Sequence, residues 1–488
     1  MRRTSWTVCL AAALSLQVTQ ASGQGASKDT REGAHWVPTW GTAQQLVRPA
    51  PPLGGRGLAP APQTTAPQPS GGVQASPAQV PPSADSPSSS APATSSATPP
   101  ATSTPSATAP AATPPAAGRG GATPPRVTSL NNQTLRMVLR TSIAGRRARV
   151  KLSNAFGATA VRVGAAHMAL RGADAAIVPG SDRTLTFTGL RAFTMAPGVV
   201  VVSDPVELPV PALTDLAISL YFPGDTGQPT SHATGLRTSY VSSEGDFTGE
   251  GQFQIANTIQ SYYWLSSVEV DAPSDAAAIV TFGDSITDGA RSTSDTNNAW
   301  PALLAARLAA KKETAKIAVV NEGIGGNRIL SDGGGVSALA RLDRDVFSHP
   351  GAKWLMILEG INDIGTLAQP GTADPVTSEA IIWALQQIIT RARTHGVSVI
   401  GCTLTPYEGA GYARETGEAI RDAVNLWIRT SGAFDAVVDF EAATRDPNNP
   451  NRLRAEFDPG DHLHPNDAGY KAMADAVDLA IFTRKAGK

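Results

Sequence analysis

The sequence has 488 residues, of which 41% are hydrophobic, and a formal net charge of −1 at neutral pH. This length and composition are typical of a globular protein with two or three domains. The nearly balanced charge argues against a nucleic-acid-binding surface and against a polybasic membrane-binding patch.

The N-terminus has the layout of a secretory signal peptide. Arg2 and Arg3 precede the apolar run "WTVCLAAALSLQV", and the small residues "ASG" follow it. The apolar run is too short to span a bilayer. We therefore predict that residues 1–23 are removed and that the protein is secreted, to the periplasm or outside the cell. Cys402 would then be the single cysteine of the mature chain, and no internal disulfide is expected.

Two segments of contrasting composition follow. Residues 24–48 contain "HWVPTWGTAQ", and its tryptophans Trp36 and Trp40 indicate a folded segment that packs on the next domain. Residues 49–126 consist almost entirely of Pro, Ala, Ser, Thr and Gly. Such a composition cannot bury enough apolar surface to offset the entropy of ordering the chain. We predict a disordered insertion, placed inside a domain.

Residues 127–272 show short runs of alternating apolar and polar residues separated by turn-forming residues. The runs include "TLRMVLRTS", "RARVKLSN" and "LAISLYFP". Period-two alternation with closely spaced turns predicts an all-β accessory domain, a sandwich or jelly roll. His167 and His232 are isolated here, and a structural role is expected for both. The "YYW" at 262–264 could either stack on sugars or pack in a core.

Residues 273–488 change to an alternation of strands and helices. Five apolar runs predict strands: "AAIVTF", "KIAVV", "KWLMILEG", "VSVIGCTL" and "AVVDF". Helices are expected near Trp300–Ala310, over Ser378–Thr394 and around 416–430. A last helix is expected over "NDAGYKAMADAVDLAIF", capped by Asn466. The pattern predicts an α/β domain built on a five-stranded parallel sheet.

Four polar loops follow the strands of this predicted sheet. They are "GDSITDG", "NEGIGGNR", "EGINDIG" and "DHLHPND". Ligands of open α/β sheets bind beyond the carboxyl ends of the strands, so these loops should meet in one crevice.

The residues in these loops suit acyl transfer. Ser285 supplies a hydroxyl nucleophile, which needs a neighbouring base and an orienting carboxylate. His464 and Asp461 are three residues apart and can serve as that pair. Gly326 can expose a backbone N–H, and Asn362 a side-chain amide, to a developing oxyanion.

Simpler interpretations exist for each motif alone. Ser285 could merely cap the following helix. "GIGG" fails the dinucleotide fingerprint because Arg328 occupies the position of its third glycine, and "GDSITDG" lacks the lysine of a P-loop. Asp461, His462 and His464 could bind a metal ion, although no further ligand cluster supports this. The Asn-Asp pair of "GINDIG" could be a simple turn.

Taken together, the motifs resemble the SGNH (GDSL) hydrolase family. "GDSITDG", "GIGGN", "GIND" and "DHLHP" match four of its sequence blocks in order over residues 273–488. The resemblance implies a flavodoxin-like three-layer sandwich with Ser285 as nucleophile, His464 as base and Asp461 as its orienting partner. The backbones of Ser285 and Gly326 and the amide of Asn362 would form the oxyanion hole. The β-region is similar to that of a secreted branch associated with xylan-degrading esterases.

These observations predict a secreted serine esterase that acts on short acyl groups, in particular acetyl esters on carbohydrate. The substrate would be a small-molecule or polysaccharide ester. We expect no cofactor, no metal ion, no nucleic-acid partner and no integral membrane association. One alternative is an aryl esterase or a lysophospholipase-type acylhydrolase. An alternative of another class is a carbohydrate-binding module with an inert hydrolase domain.

Overall fold

The structure is a computed structural model that describes residues 33–46, 128–369 and 371–483. The predicted leader (1–23) and the predicted insertion (49–126) lie outside the described residues. The described residues all belong to one compact unit.

Residues 36–41 and 133–271 contribute antiparallel strands to two facing sheets and two small ribbons. Their bounds are β1 (Trp36–Gly41), β2 (Gln133–Arg140), β3 (Gly145–Ser153), β4 (Val161–Val163), β5 (Ala165–Leu170), β6 (Arg183–Thr184), β7 (Phe193–Met195), β8 (Val200–Val202), β9 (Val206–Val210), β10 (Asp215–Phe222), β11 (Ser231–His232), β12 (Ser239–Glu244), β13 (Ile255–Ile259), β14 (Tyr262–Tyr263) and β15 (Leu265–Asp271). One sheet has the order β1-β15-β3-β8, with β9 also on β3, and the other has the order β13-β12-β2-β10-β5-β6. The predicted all-β region is confirmed.

The alternation seen in the sequence places the core of this sandwich. Leu135, Met137 and Leu139 follow one another at every second position of β2, and all three are fully buried. Strand side chains two residues apart lie on one face, so this face of β2 faces the other sheet. The apolar residues of the two inner faces form one continuous cluster.

Strand β1 carries both N-terminal tryptophans into this sandwich. It pairs antiparallel with β15, from Trp36 opposite Asp271 to Gly41 opposite Ser267. The ring of Trp40 meets Tyr262 edge-on, with centroids 4.7 Å apart. Tyr262, with 4% of its surface exposed, belongs to the "YYW" run, and Trp264 of that run is fully buried. The sugar-stacking interpretation of this run is therefore wrong, because its rings pack inside the protein.

The remaining residues form the predicted α/β domain. Its strands are β16 (Ala277–Gly283), β17 (Ile317–Gly323), β18 (Ala352–Leu358), β19 (Ser398–Cys402) and β20 (Ala436–Val438). They are parallel and lie in the order β17-β16-β18-β19-β20. This order is that of flavodoxin-like sheets, so the predicted fold class is confirmed. Its topological switch point lies where β17 and β18 flank β16.

Eight described helices connect and cover these strands. They are α1 (Ser285–Asp288), α2 (Trp300–Ala309), α3 (Ala338–Leu342), α4 (Ile361–Leu367), α5 (Ser378–Thr394), α6 (Glu415–Thr430), α7 (Phe440–Thr444) and α8 (Asp467–Ala476). A π-helical turn, Asp343–Phe347, follows α3. Helix α5 has the predicted bounds, and Gly396 follows it with a φ of +69°. A left-handed residue after the last turn is a common helix stop, and glycine adopts it without strain.

The last predicted helix is shorter than expected. Helix α8 begins after Asn466, whose side chain accepts hydrogen bonds from the backbone N–H groups of Ala468 and Gly469 as predicted, but it ends at Ala476. Val477 is extended, and Leu479–Phe482 forms a separate 3-10 turn. The Asp478 side chain accepts a hydrogen bond from the N–H of Ala480, so it caps the new turn and competes with continuation of α8.

Candidate active site

The structure brings the predicted site residues to the carboxyl edge of the parallel sheet. Ser285 lies two residues after β16, at the start of α1. Gly326 lies in the loop after β17, and Asn362 lies in the first turn of α4, just after β18. Asp461 and His464 lie on the loop that leads into α8.

Ser285 is not the cap of α1. Asp284 takes that position, and its Oδ1 accepts a hydrogen bond of 2.9 Å from the N–H of Ile286. The capping interpretation of Ser285 is therefore wrong, and its hydroxyl is available for another partner. Ser285 Oγ lies 2.9 Å from His464 Nε2.

The loop before α8 builds the pair of Asp461 and His464. Asp461 Oδ1 accepts hydrogen bonds from the backbone N–H groups of Leu463, at 3.2 Å, and His464, at 3.0 Å. These bonds close the turn and bring Asp461 Oδ2 within 3.0 Å of His464 Nδ1. A carboxylate can only accept, so Nδ1 carries the proton and Nε2 presents its lone pair to the hydroxyl of Ser285.

Arg291 completes the surroundings of Asp461, and the sequence analysis missed it. Its Nε donates to Asp461 Oδ2 at 2.7 Å, while 56% of its side chain is exposed. Burial alone would raise the pKa of Asp461, but hydrogen bonds from His464 and Arg291 outweigh burial and hold that pKa well below its usual range. Asp461 is thus ionised at every pH at which the protein would act. No sequence signal marks Arg291, because its partner lies 170 residues away.

The two histidines of "DHLHP" have different partners. His462 Nδ1 lies 2.5 Å from Asp458 Oδ2, and 49% of its side chain is exposed. The four-residue spacing of Asp458 and His462 in the sequence could have indicated this contact, which the sequence analysis missed. His464 faces Ser285 instead. Within 33–46, 128–369 and 371–483 no group of three or more His, Cys, Asp and Glu side chains is arranged to hold a metal ion.

The predicted oxyanion donors differ in how they are held. Gly326 has a φ of +71°, a backbone conformation that favours glycine. Asn362 Nδ2 donates to the carbonyl oxygen of Asn327 at 3.0 Å, and its Oδ1 accepts a bond of 3.3 Å from the Tyr412 hydroxyl. One of the two Nδ2 protons remains for another acceptor. Ser285, as the first residue of α1, has a backbone N–H without an intrahelical partner.

Buried carboxyl groups lie close to Ser285. Burial raises the pKa of Asp284 to about 7 and that of Asp363 to about 6. Burial also raises the pKa of Glu359 well above its usual value, and the nearby Asp284 raises it further. Arg341, itself buried, lies 3.9 Å from Glu359 and donates to the carbonyl oxygen of Gly283 at 3.0 Å. One cation therefore serves several carboxyl groups under the turn that presents Ser285.

Solved structures with similar chains include three esterases or lipolytic proteins. One is a protein assigned to the lipolytic G-D-S-L family from Desulfitobacterium hafniense, with 22% identity, 43% of this chain and 99% of that chain covered, and a TM-score of 0.32. An acetyl xylan esterase shows 24% identity over 41% of this chain and 96% of that chain, with a TM-score of 0.32. An acetyl-xylooligosaccharide esterase variant from Geobacillus shows 24% identity over 41% of this chain and 91% of that chain, also with a TM-score of 0.32.

The family comparison is more direct. No curated protein matches the chain. Residues 281–472 match the model of the GDSL-like lipase/acylhydrolase family, and this range contains the loops that carry Ser285, Gly326, Asn362 and the Asp461–His464 pair. The resemblance of this part of the sequence to the GDSL hydrolase family is thereby confirmed. Residues 281–472 belong to the GDSL-like lipase/acylhydrolase family, and the protein is a carboxylic ester hydrolase.

Proposed function

We propose that this protein is a secreted serine esterase that removes short acyl groups, in particular acetyl groups, from carbohydrate esters. The observation that carries the catalytic part is the continuous hydrogen-bond chain from Ser285 Oγ through His464 to Asp461, with lengths of 2.9 and 3.0 Å. A hydroxyl, an imidazole and a carboxylate in this order are the parts of a serine hydrolase triad.

The proposed reaction has two steps. His464 Nε2 takes the proton of Ser285 as Oγ attacks the ester carbonyl, and the same proton passes to the departing alcohol. This leaves the acyl group on Ser285. A water molecule then attacks this acyl-enzyme while His464 again accepts and returns a proton, which releases the carboxylic acid and the free serine. Asp461 stays ionised and stabilises the imidazolium form of His464 in both steps.

The surroundings of the triad support a polar alcohol group in the substrate. Arg291 and His462 flank Asp461 and His464, and their side chains are 56% and 49% exposed. The Tyr412 hydroxyl lies next to Asn362. Charged and hydrogen-bonding groups of this kind suit a sugar better than an acyl chain of lipid length.

The helices of the described ranges include none that is long and apolar enough to cross a membrane.

Site-directed variants test the triad. Ser285→Ala and His464→Ala should each lower kcat by several orders of magnitude without loss of the fold, because nucleophile and base act as one unit. The matched control is His462→Ala, which removes a histidine from the same loop and should retain most of the activity. Activity that survives in His464→Ala and is lost in His462→Ala would reverse the assignment.

A substrate panel tests the specificity. Acetylated xylan, nitrophenyl esters of increasing acyl length and a lysophospholipid should be compared as ratios of kcat/KM, with acetylated xylan and nitrophenyl acetate preferred. Hydrolysis of nitrophenyl esters without activity on acetylated xylan would indicate an aryl esterase, and preference for the lipid would indicate a lysophospholipase. A fluorophosphonate probe should label wild-type protein but not Ser285→Ala. A wild-type protein that the probe does not label would support an inert hydrolase domain.

A further inference from the structure

The carboxylate of Asp288, the last residue of α1, joins two parts of the molecule. Only 6% of the residue is exposed. Its Oδ2 accepts a hydrogen bond of 3.2 Å from the backbone N–H of Gly325, and its Oδ1 lies 3.0 Å from His232 Nε2. Gly325 precedes Gly326 in the loop after β17, whereas His232 belongs to β11 of the sandwich. Asp288 therefore connects the sandwich to the loop that carries the proposed oxyanion donor.

His232 is held firmly at the other end of this connection. The residue is 3% exposed, and its Nδ1 lies 2.8 Å from the carbonyl oxygen of Ala43. A carbonyl only accepts, so Nδ1 carries a proton. Burial lowers the pKa of His232, but the carboxylate of Asp288 outweighs burial and raises it above its ordinary value. Nε2 faces the carboxylate of Asp288, which also only accepts, so the ring donates to Ala43 and to Asp288.

The contacts of Gly325 and Gly326 show what this connection fixes. The Gly326 N–H lies on the peptide plane that links these two glycines, and no described residue accepts a hydrogen bond from it. The preceding peptide plane carries the N–H of Gly325, which donates to Asp288. The following peptide plane carries the carbonyl oxygen of Gly326, which accepts a hydrogen bond of 2.9 Å from the N–H of Gly334. The carbonyl oxygen of Gly325 lies close to the backbone of Gly334, since a Cβ atom on Gly334 would lie 1.8 Å from that oxygen.

We propose that His232 and Asp288 are positioning residues for ester hydrolysis, and that through them the sandwich holds the Gly326 N–H in the direction that the oxyanion requires. This inference rests on the proposed function, because it needs an oxyanion at Gly326. Two adjacent glycines have more backbone freedom than any other pair, and an oxyanion donor contributes fully only when its direction is fixed before the reaction. Asp288 restricts that freedom at one side of the peptide, and His232 keeps Asp288 in place.

Substitution of His232 tests the positioning role. His232→Phe keeps an aromatic ring of similar size at this position. His232 and Asp288 line a cavity of about 130 Å³, and neither Ser285 nor His464 lines it. The substitution removes the donors to Asp288 and to the carbonyl oxygen of Ala43. We expect kcat for nitrophenyl acetate to fall about tenfold or more while KM stays within about twofold, because the donor acts on the transition state and not on bound substrate. Phenylboronic acid, whose adduct with serine places an oxygen in the oxyanion hole, should lose affinity by a similar factor.

Two variants of Asp288 give a rescue that a merely structural role would not produce. In Asp288→Asn, the amide oxygen can accept from Gly325 N–H while the amide nitrogen donates to a neutral His232 Nε2, so most of kcat should remain. Asp288→Ala removes both contacts and should match the loss seen in His232→Phe. If His232→Phe does not fold, the comparison of Asp288→Asn with Asp288→Ala still tests the positioning role.

The control is His167→Phe, which makes the same change in a second histidine–carboxylate pair of the sandwich. His167 Nδ1 lies 2.8 Å from Asp182 Oδ2, and His167 Nε2 lies 3.5 Å from the Thr184 hydroxyl, so the partners of His167 belong to the sandwich. Wild-type kcat in this variant is expected. Wild-type kcat in folded His232→Phe, or equal losses in Asp288→Asn and Asp288→Ala, would overturn the inference. Activity that survives in Ser285→Ala would instead refute the proposed function, so the two failures are distinguishable.

Discussion

The substitution Asp284→Asn should stabilise the protein, and the gain should grow as the pH rises. Asp284 is fully buried and precedes Ser285 in the chain. Its Oδ1 accepts from the N–H of Ile286, but its Oδ2 has no hydrogen-bond partner among the described residues. Burial raises the pKa of Asp284 to about 7; the hydrogen bond from Ile286 opposes this shift, and the neighbouring Asp363 and Asp288 add to it. The neutral form is therefore the one that the fold prefers.

The sign and size of the effect follow from this raised pKa. Native Asp284 titrates near pH 7, and the unfolded chain near its ordinary value of 3.8. Between these two values the native state holds a proton that the unfolded state has lost, so the free energy of unfolding falls as the pH rises. A shift of about three pKa units corresponds to about 4 kcal/mol, lost between about pH 4 and pH 7. An asparagine keeps the cap through its amide oxygen and never ionises, so Asp284→Asn should remove this loss.

Urea unfolding from about pH 5 to pH 8 measures the difference between variant and wild type. The stability gain of Asp284→Asn should increase by a few kcal/mol across this range, on top of any constant offset. Asp275→Asn is the control, because Asp275 is exposed and its hydrogen bond from Lys316 lowers its pKa. Asp275 is therefore ionised in both the native and the unfolded state from pH 5 to pH 8, and this variant should differ from wild type by the same amount at every pH. If the difference between Asp284→Asn and wild type were the same at every pH, Asp284 would not be the titrating group.

Three further outcomes are expected for the site. Asn362→Ala should lower kcat by about 10²–10³ with little change in KM, and a change in KM alone would show that the amide binds substrate. Chelation with EDTA should leave the rate unchanged, since acyl transfer through a serine needs no ion; loss of activity that zinc restores would indicate a metal site at Asp461, His462 and His464. Arg291→Gln should lower kcat by no more than about fivefold, because an exposed ion pair contributes at most about 1 kcal/mol. A loss as large as that of Asp461→Ala would mean that Arg291 contacts the substrate.

The sequence was sufficient to predict the loops of the site because local patterns encode them. Three predicted strands end directly in polar loops, and parallel strands present their carboxyl ends at one edge, so the proximity of Ser285, Gly326 and Asn362 follows from connectivity. The Asp461–His464 contact is also local, since it closes within one turn of chain. Helix α5 was predictable for the same reason: its apolar residues recur at helical spacing, and a glycine follows its end.

The contacts that the sequence did not reveal join distant segments. His232 was expected to have only a structural role, and its position in the chain gives no hint of Asp288, which lies 56 residues later. Arg291 likewise meets Asp461 across 170 residues. Such pairs depend on how the sandwich and the α/β region pack, and neither helical nor strand periodicity carries that information. The sequence did not show which of Asp284 and Ser285 caps α1, because both residue types are common N-caps.

The packing of the sandwich on the parallel sheet gives the long-range contacts a physical basis. Strand β17 is at the edge of that sheet, and an uncovered edge strand exposes unpaired backbone groups. The chain after β1 covers it, since Thr42 forms a parallel bridge with Asn321. A Cβ at Gly41 would lie 2.7 Å from Glu322 Oε1, so the Glu322 side chain packs directly against the backbone of Gly41. The segment that continues from β1 includes Ala43, whose carbonyl oxygen fixes His232. The segment that covers the sheet edge thus also anchors the connection to Asp288. Loosening of this edge should therefore disturb the loop of Gly325 and Gly326, whereas the Asp461–His464 contact closes within one turn of chain and does not depend on it.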